Sequence, residues 1–163
     1  MMQQAKSTVE TLRAKGLTIS AAESCTGGGF ANALTNISGA SEVLKESRVT
    51  YSNEAKLRLG VSKVTLARYS VYSTEVAFEM AFAASKAAGS DIGVGITGNF
   101  AEVDLYNPGV SKPGTVFIAV IYQHDGFPLW RDATIKIDTK LDRADAKNVV
   151  IERALRLVQG IMS

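Results

Sequence analysis

One cysteine, one histidine, one tryptophan and three prolines in 163 residues leave several chemistries without material. A lone Cys25 excludes an internal disulfide and a cysteine-based zinc site, and such sparse cysteine suits a reducing compartment. A lone His124 gives a Ser-His-Asp triad only one base. It sits in Gln123-His124-Asp125-Gly126, which reads as an exposed turn far in sequence from the other reactive groups. Neither sign of charge dominates: 18 Lys and Arg against 16 Asp and Glu leave a net +2. No dense Lys/Arg run is interleaved with aromatics, so no nucleic-acid partner is expected. No apolar run is long enough to span a bilayer, and residues 1–7 are polar with no apolar stretch behind them. The expectation is a cytoplasmic protein without a membrane or metal partner.

What is present fits one globular domain of ordinary composition. Residues 3–14 read as an amphipathic helix that ends at Gly16, and residues 17–22 as a strand. Residues 26–35 are small and apolar, suited to a helix packed closely on a sheet. A second strand is expected around residues 43–51, with Val49 and Tyr51 on one face, then a short helix over 53–59 stopped at Gly60. Ser73 caps a helix running to residue 88, with Val76, Met80, Ala83, Ala84 and Ala87 on one face. Residues 91–96 alternate glycine with Ile92, Val94 and Ile96, a strand with one face approached closely by a helix. Residues 115–122 are almost continuously apolar, as in a strand covered on both sides. Residues 129–137 alternate better and read as its antiparallel partner nearer an edge. Asp142 caps the last helix, whose Ala146, Val150, Ala154, Leu157, Val158 and Ile161 recur at helical spacing. Residues 99–112 are the one long irregular stretch. The sum is an α/β fold, a three-layer α/β/α sandwich on a mixed, mostly parallel sheet, with ligands expected beyond the strand ends.

Two segments carry chemistry: Glu23-Ser24-Cys25-Thr26-Gly27-Gly28 and Tyr51-Ser52-Asn53-Glu54-Ala55-Lys56. Each lies where a strand gives way to a helix. A serine ahead of a helix is most often an N-cap, and most lysines are solvated. Lys56, however, falls early in a helix, where the dipole disfavours an ammonium ion, and burial would lower its pKa further. A neutral amine is what a general base must be. Together the two point to a serine–lysine hydrolase, beside the alternative of a helix cap and a solvated lysine. Tyr51 reads either as a proton relay to Ser24 or as a half-buried strand aromatic. Glu23 would pair with Lys56 or cap the strand end, and Cys25 reads as a small core residue. Gly93-Val94-Gly95-Ile96-Thr97-Gly98 has G-x-G-x-x-G spacing but lies within a strand and opens no helix, so it is not a dinucleotide fingerprint. Arg143 and Lys147, four apart, would face an anion or remain solvated.

These segments, with Gly60-Val61, residues 71–80, Thr97-Gly98 and Gly114-Thr115-Val116, occur in the order that the C-terminal domain of competence/damage-inducible protein CinA shows. The chain resembles that family from about residue 9 to 158. Standalone members are nicotinamide-nucleotide amidohydrolases on a three-layer α/β/α fold. The resemblance implies a small-molecule nucleotide substrate: hydrolysis of nicotinamide mononucleotide to nicotinate mononucleotide and ammonia, in pyridine-nucleotide salvage, with no metal or other cofactor. It puts the nucleophile on Ser24 with Tyr51 and Lys56 assisting. It implies oxyanion donors near Thr26 and Gly27, and substrate contacts at Thr26, Gly27, Gly28, Asn53, Thr97, Gly98 and Arg143. Homo-oligomerisation is left open. After Thr97-Gly98 the family usually continues Ala-Gly-Pro-Gly-Gly, whereas this chain reads Asn99-Phe100-Ala101-Glu102-Val103-Asp104. Residues 99–112 are therefore expected beside Ser24, with Glu102 and Asp104 weakening a phosphate-bearing substrate. A non-catalytic relative binding a nucleotide or a protein is the rival reading. A DNA-binding competence role has no basic patch behind it.

Overall fold

A computed structural model of the chain describes residues 1–110 and 112–163; Ser111, inside the predicted irregular stretch, lies outside the described residues. Helix α1 (Met2–Lys15) ends on Gly16 in the left-handed conformation, φ 64°, and leads into β1 (Ile19–Glu23). Then come α2 (Gly29–Thr35), the short α3 (Ala40–Val43) and β2 (Leu44–Val49). Three helices follow, α4 (Asn53–Leu59), α5 (Lys63–Tyr69) and α6 (Thr74–Ala88), before β3 (Ile92–Asn99). A hairpin of β4 (Thr115–His124) and β5 (Phe127–Lys136) and the long α7 (Arg143–Met162) complete the chain. None of the described helices is long and apolar enough to cross a membrane.

The sheet order is β2-β1-β3-β4-β5. β1 is parallel to β2 and β3, while β4 is antiparallel to both β3 and β5, so four of the five strands share a direction. Alternate residues sort to two faces. Ala21, Val94, Ile118 and Val120 join α1, α2 and α7 in the main core. Phe117, Ala119 and Ile121 face α6. The predicted close approach of a helix to β3 has a plain cause: a Cβ on Gly93 would lie 2.1 Å from the Ala81 carbonyl oxygen, and one on Gly95 2.0 Å from that of Ala77. Only glycine lets α6 settle that low on the strand.

Several boundaries differ from expectation. Helix α2 starts three residues late, because Gly27 and Gly28 both have positive φ and turn the chain first. β2 ends at Val49, so Tyr51 lies beyond the strand. Helix α5, capped by the Ser62 hydroxyl on the amides of Val64 and Thr65, was not anticipated. β5 begins at Phe127, because Asp125 and Gly126 with positive φ close a two-residue hairpin turn and Pro128 sits on an edge strand.

Candidate active site

The topology opens a crevice at one place. β1 leads into α2 on one face of the sheet, while its neighbour β2 leads into α4 on the other. Diverging connections leave a cleft beyond the strand ends, the usual ligand position in such sheets. Ser24 follows β1 directly and Tyr51 to Lys56 follow β2. Ladder bonds continue past the strands and fix both exits: Ser24 N–H donates to the Ile96 carbonyl (2.9 Å) and Thr50 N–H to the Glu23 carbonyl (2.7 Å).

Lys56 is 1 % exposed, and its Nζ reaches Ser24 Oγ at 3.1 Å and the Thr50 carbonyl at 2.8 Å. Desolvation lowers its pKa from 10.5 to about 8, against smaller opposing effects of Cys25 and Asp104. The amine is thus partly neutral near physiological pH while already touching the serine. Cys25 is the opposite case. Burial pushes its thiol up to about 12, so it stays protonated and a poor nucleophile beside Ser24.

Glu23 does not meet Lys56. It is fully buried and accepts from Thr26 Oγ1 (2.7 Å), Phe30 N–H (2.9 Å), Ala31 N–H (3.0 Å) and Ser47 Oγ (3.1 Å). The carboxylate therefore satisfies free amides at the start of α2, where the helix dipole also favours a negative charge. By holding α2 it holds the turn that carries Ser24. The sequence signal was an acidic residue just ahead of a glycine-rich helix start.

Among the other predicted residues, Tyr51, Asn53, Gly98 and Arg143 line the same cavity of about 730 Å³ as Ser24 and Lys56. Tyr51 is 63 % exposed, and its hydroxyl accepts from the Arg143 guanidinium at 3.4 Å at the rim. Arg143 in turn lies over the Phe100 ring, 5.5 Å from its centroid. Thr26, Gly27, Gly28 and Thr97 stand outside the wall. The Thr97 hydroxyl is buried on the Val71 carbonyl, and that of Thr26 on Glu23. Gly27 N–H donates to the Ser24 carbonyl at 3.0 Å, so it is not available to an oxyanion. Among the described residues, the Thr26 amide makes no hydrogen bond, and the Cys25 amide has only its own sulfur as acceptor.

Residues of the 99–110 segment form the opposite wall, beside Ser24. Asp104 accepts from the Tyr72 hydroxyl, from Asn107 Nδ2 (2.6 Å) and from Tyr106 N–H (2.9 Å). Desolvation raises the Asp104 pKa, but these hydrogen bonds outweigh it and hold the carboxyl below its ordinary value. Burial first, then Asp104, drives the Tyr72 phenol upward. Asn107 Oδ1 also accepts from Asn53 Nδ2 at 2.8 Å, so the segment is fastened to α4 and to the turn before α6. Tyr72 and Asn107 lie within the flagged segments 71–80 and 99–112, but their pairing carried no signal in the sequence, since only the fold brings them together.

Comparison with known proteins places this geometry among relatives. The family described as CinA C-terminal domain matches residues 1–162. A "putative competence-damage inducible protein" of Clostridium botulinum is 52% identical over 146 residues, 86% of this chain and 33% of that protein. A "CinA-like protein" of Kosmotoga olearia is 54% identical over 91 residues, 55% of this chain and 22% of that protein. The chain thus spans a third or less of the length of these curated relatives. Among solved structures, competence/damage inducible protein CihA from Agrobacterium tumefaciens is 28% identical with a TM-score of 0.87, over 99% of this chain and 95% of that one. A CinA superfamily protein from Klebsiella pneumoniae is 26% identical with a TM-score of 0.86, over 99% and 96%.

Proposed function

The chain belongs to the CinA C-terminal domain family, and from that starting point we propose that Ser24 and Lys56 are the nucleophile and base of an amidohydrolase acting on nicotinamide mononucleotide. The observation that carries the proposal is the buried 3.1 Å contact between Lys56 Nζ and Ser24 Oγ, with the lysine pKa drawn down to about 8. A neutral Lys56 takes the Ser24 proton as Oγ attacks the carboxamide carbon. The carboxamide oxygen gains the negative charge, and the amide of Cys25, which lines the cavity beside Ser24, receives it, in the way that the amide after a nucleophile commonly does. The C–N bond then breaks, ammonia leaves with the proton that Lys56 carried, and an ester to Ser24 remains. Water, deprotonated by the same amine, attacks that ester and releases nicotinate mononucleotide and free Ser24. Tyr51 and Arg143 at the rim, with Asn53 inside, orient the substrate.

Ammonia release and nicotinate mononucleotide formation by the purified protein, with Ser24→Ala as control, test the proposal. The acidic wall at residues 102 and 104 favours a second reading, a relative that binds a ligand without hydrolysing it. Binding of nicotinamide mononucleotide with no ammonia release would select that reading.

A further inference from the structure

Helix α6 covers β3 and β4 but leaves the edge strand partly uncovered. In the β4–β5 ladder Ile121 pairs with Trp130 and Ala119 with Asp132, and cross-strand partners share a face. Ile121 and Ala119 face α6, so Trp130 and Asp132 project on that side, past the helix. The overhang and the outer face of α6 enclose a second cavity of about 370 Å³, roofed by α5. It shares no lining residue with the Ser24 cavity.

Its walls are of two kinds. Phe78 and Trp130 meet edge to face, with centroids 5.9 Å apart and planes at 84°, so their rings form a corner, and Tyr69 supplies a third aromatic. Glu75, Glu79 and Asp132 supply three carboxylates. Glu79 accepts from Ser62 N–H (2.7 Å) and Thr65 Oγ1 (2.5 Å), which fixes its position without neutralising it. Among the described residues, Glu75 and Asp132 have no ion-pair partner. Arg68 sits 5.4 Å from the Tyr69 ring centroid and is not part of the wall. Aromatic faces attract cations through their quadrupoles, and carboxylates supply the net charge that neutral rings lack. A neutral apolar ligand would leave the carboxylates uncompensated, and an anion would be repelled.

We propose that this groove is a binding site for a small organic cation of the quaternary ammonium type, independent of the amidohydrolase reading. Trp130 is the only tryptophan, so fluorescence excited selectively at tryptophan, beyond the absorption of the five tyrosines, reports on this groove alone. The full chain is titrated with choline chloride to about 50 mM, a range that covers millimolar affinity, at constant ionic strength. The uncharged isostere 3,3-dimethylbutan-1-ol is run in parallel. The expected result is a saturable change with choline and a response at least about tenfold weaker with the isostere. Glu75→Gln with Asp132→Asn, both at exposed positions, should weaken choline by a similar factor while circular dichroism and the thermal midpoint stay unchanged. No saturable change, an equal response to the isostere, or undiminished binding by the double variant would each overturn the proposal. A Trp130 spectrum that shifts with protein concentration alone would give the groove to a second copy of the chain and overturn it as well.

Discussion

Replacing Lys56 with methionine separates what the amine does for chemistry from what it does to stability. A fall in pKa from 10.5 to about 8 means that folding disfavours the ammonium form by roughly 3 kcal/mol, at about 1.4 kcal/mol per pH unit. The sign follows from proton counts. Between pH 8 and 10.5 the unfolded chain holds the proton that the folded chain has released, so folded-state stability rises with pH across that window. Below pH 8 both states are protonated and the full penalty applies. Methionine removes the penalty but leaves Ser24 Oγ and the Thr50 carbonyl without their donor, a loss of about 1–3 kcal/mol. At pH 7 the two effects nearly cancel and the variant should be about as stable as the parent. At pH 10 the parent has regained about 2–3 kcal/mol and should be the more stable by that amount.

Urea unfolding followed by circular dichroism at pH 7 and pH 10, for parent and Lys56→Met, gives this difference of differences directly. Groups common to the two proteins drop out. Hydrolysis by the parent should rise about tenfold per pH unit up to about pH 8 and level off above, and that limb should vanish with the rate in Lys56→Met. Parallel pH dependence of stability in the two proteins, or a parent rate flat between pH 6 and 9, would refute the reasoning.

Ser24→Ala should lower amide hydrolysis by about a thousandfold or more with an unchanged circular dichroism spectrum; a folded variant within a few-fold of the parent would move the nucleophile elsewhere. Gly95→Ala should cost several kcal/mol, since its Cβ would fall 2.0 Å from the Ala77 carbonyl oxygen; this is more than the roughly 1–3 kcal/mol of ordinary overpacking, and thermal unfolding measures it. Asp104→Asn removes a carboxylate from the cavity wall, so the Michaelis constant for nicotinamide mononucleotide should fall by about fivefold with turnover little changed. The same variant takes away a charge that raises the Lys56 pKa, so the rising limb of the pH–rate profile should move to lower pH.

Much of the architecture was legible because local signals agreed with the global arrangement. Gly16, Gly60 and Gly89 end helices where expected, and the hydroxyl of Ser73 and the carboxylate of Asp142 cap theirs. The alternating glycines of β3 announced a close helix. Errors arose where two signals competed. Pro128 lengthened the expected hairpin loop although Asp125-Gly126 suffices to close it, and the small residues after Ser24 read as helix although two of their glycines are needed for a turn. Helix α5 buries no residue, so it leaves little apolar periodicity to detect. At the site, residue types were legible and partners were not. Tyr72, Asp104 and Asn107 span 36 positions of sequence and meet only because the segment after β3 folds back over the crevice.

The placement of Glu23 explains why a serine–lysine pair can sit so deep. A buried lysine drawn toward neutrality needs no carboxylate beside it, because one would favour the ammonium form and remove the base. The nearest acidic residue in sequence to Ser24 is Glu23, which would be the obvious partner. Its two oxygens are instead turned to the α2 side and occupied by two amides and two hydroxyls. The result resembles a division of labour between adjacent residues. β-strand alternation sends Glu23 to the α2 side, where a negative charge is stabilised, and the turn after it leaves Ser24 beside Lys56, where positive charge is destabilised. A strand one residue longer or shorter would exchange the two environments, bringing the carboxylate to the amine and leaving the serine as nothing more than a helix cap. The depressed lysine pKa therefore depends on the register of β1 as much as on the burial of Lys56 itself.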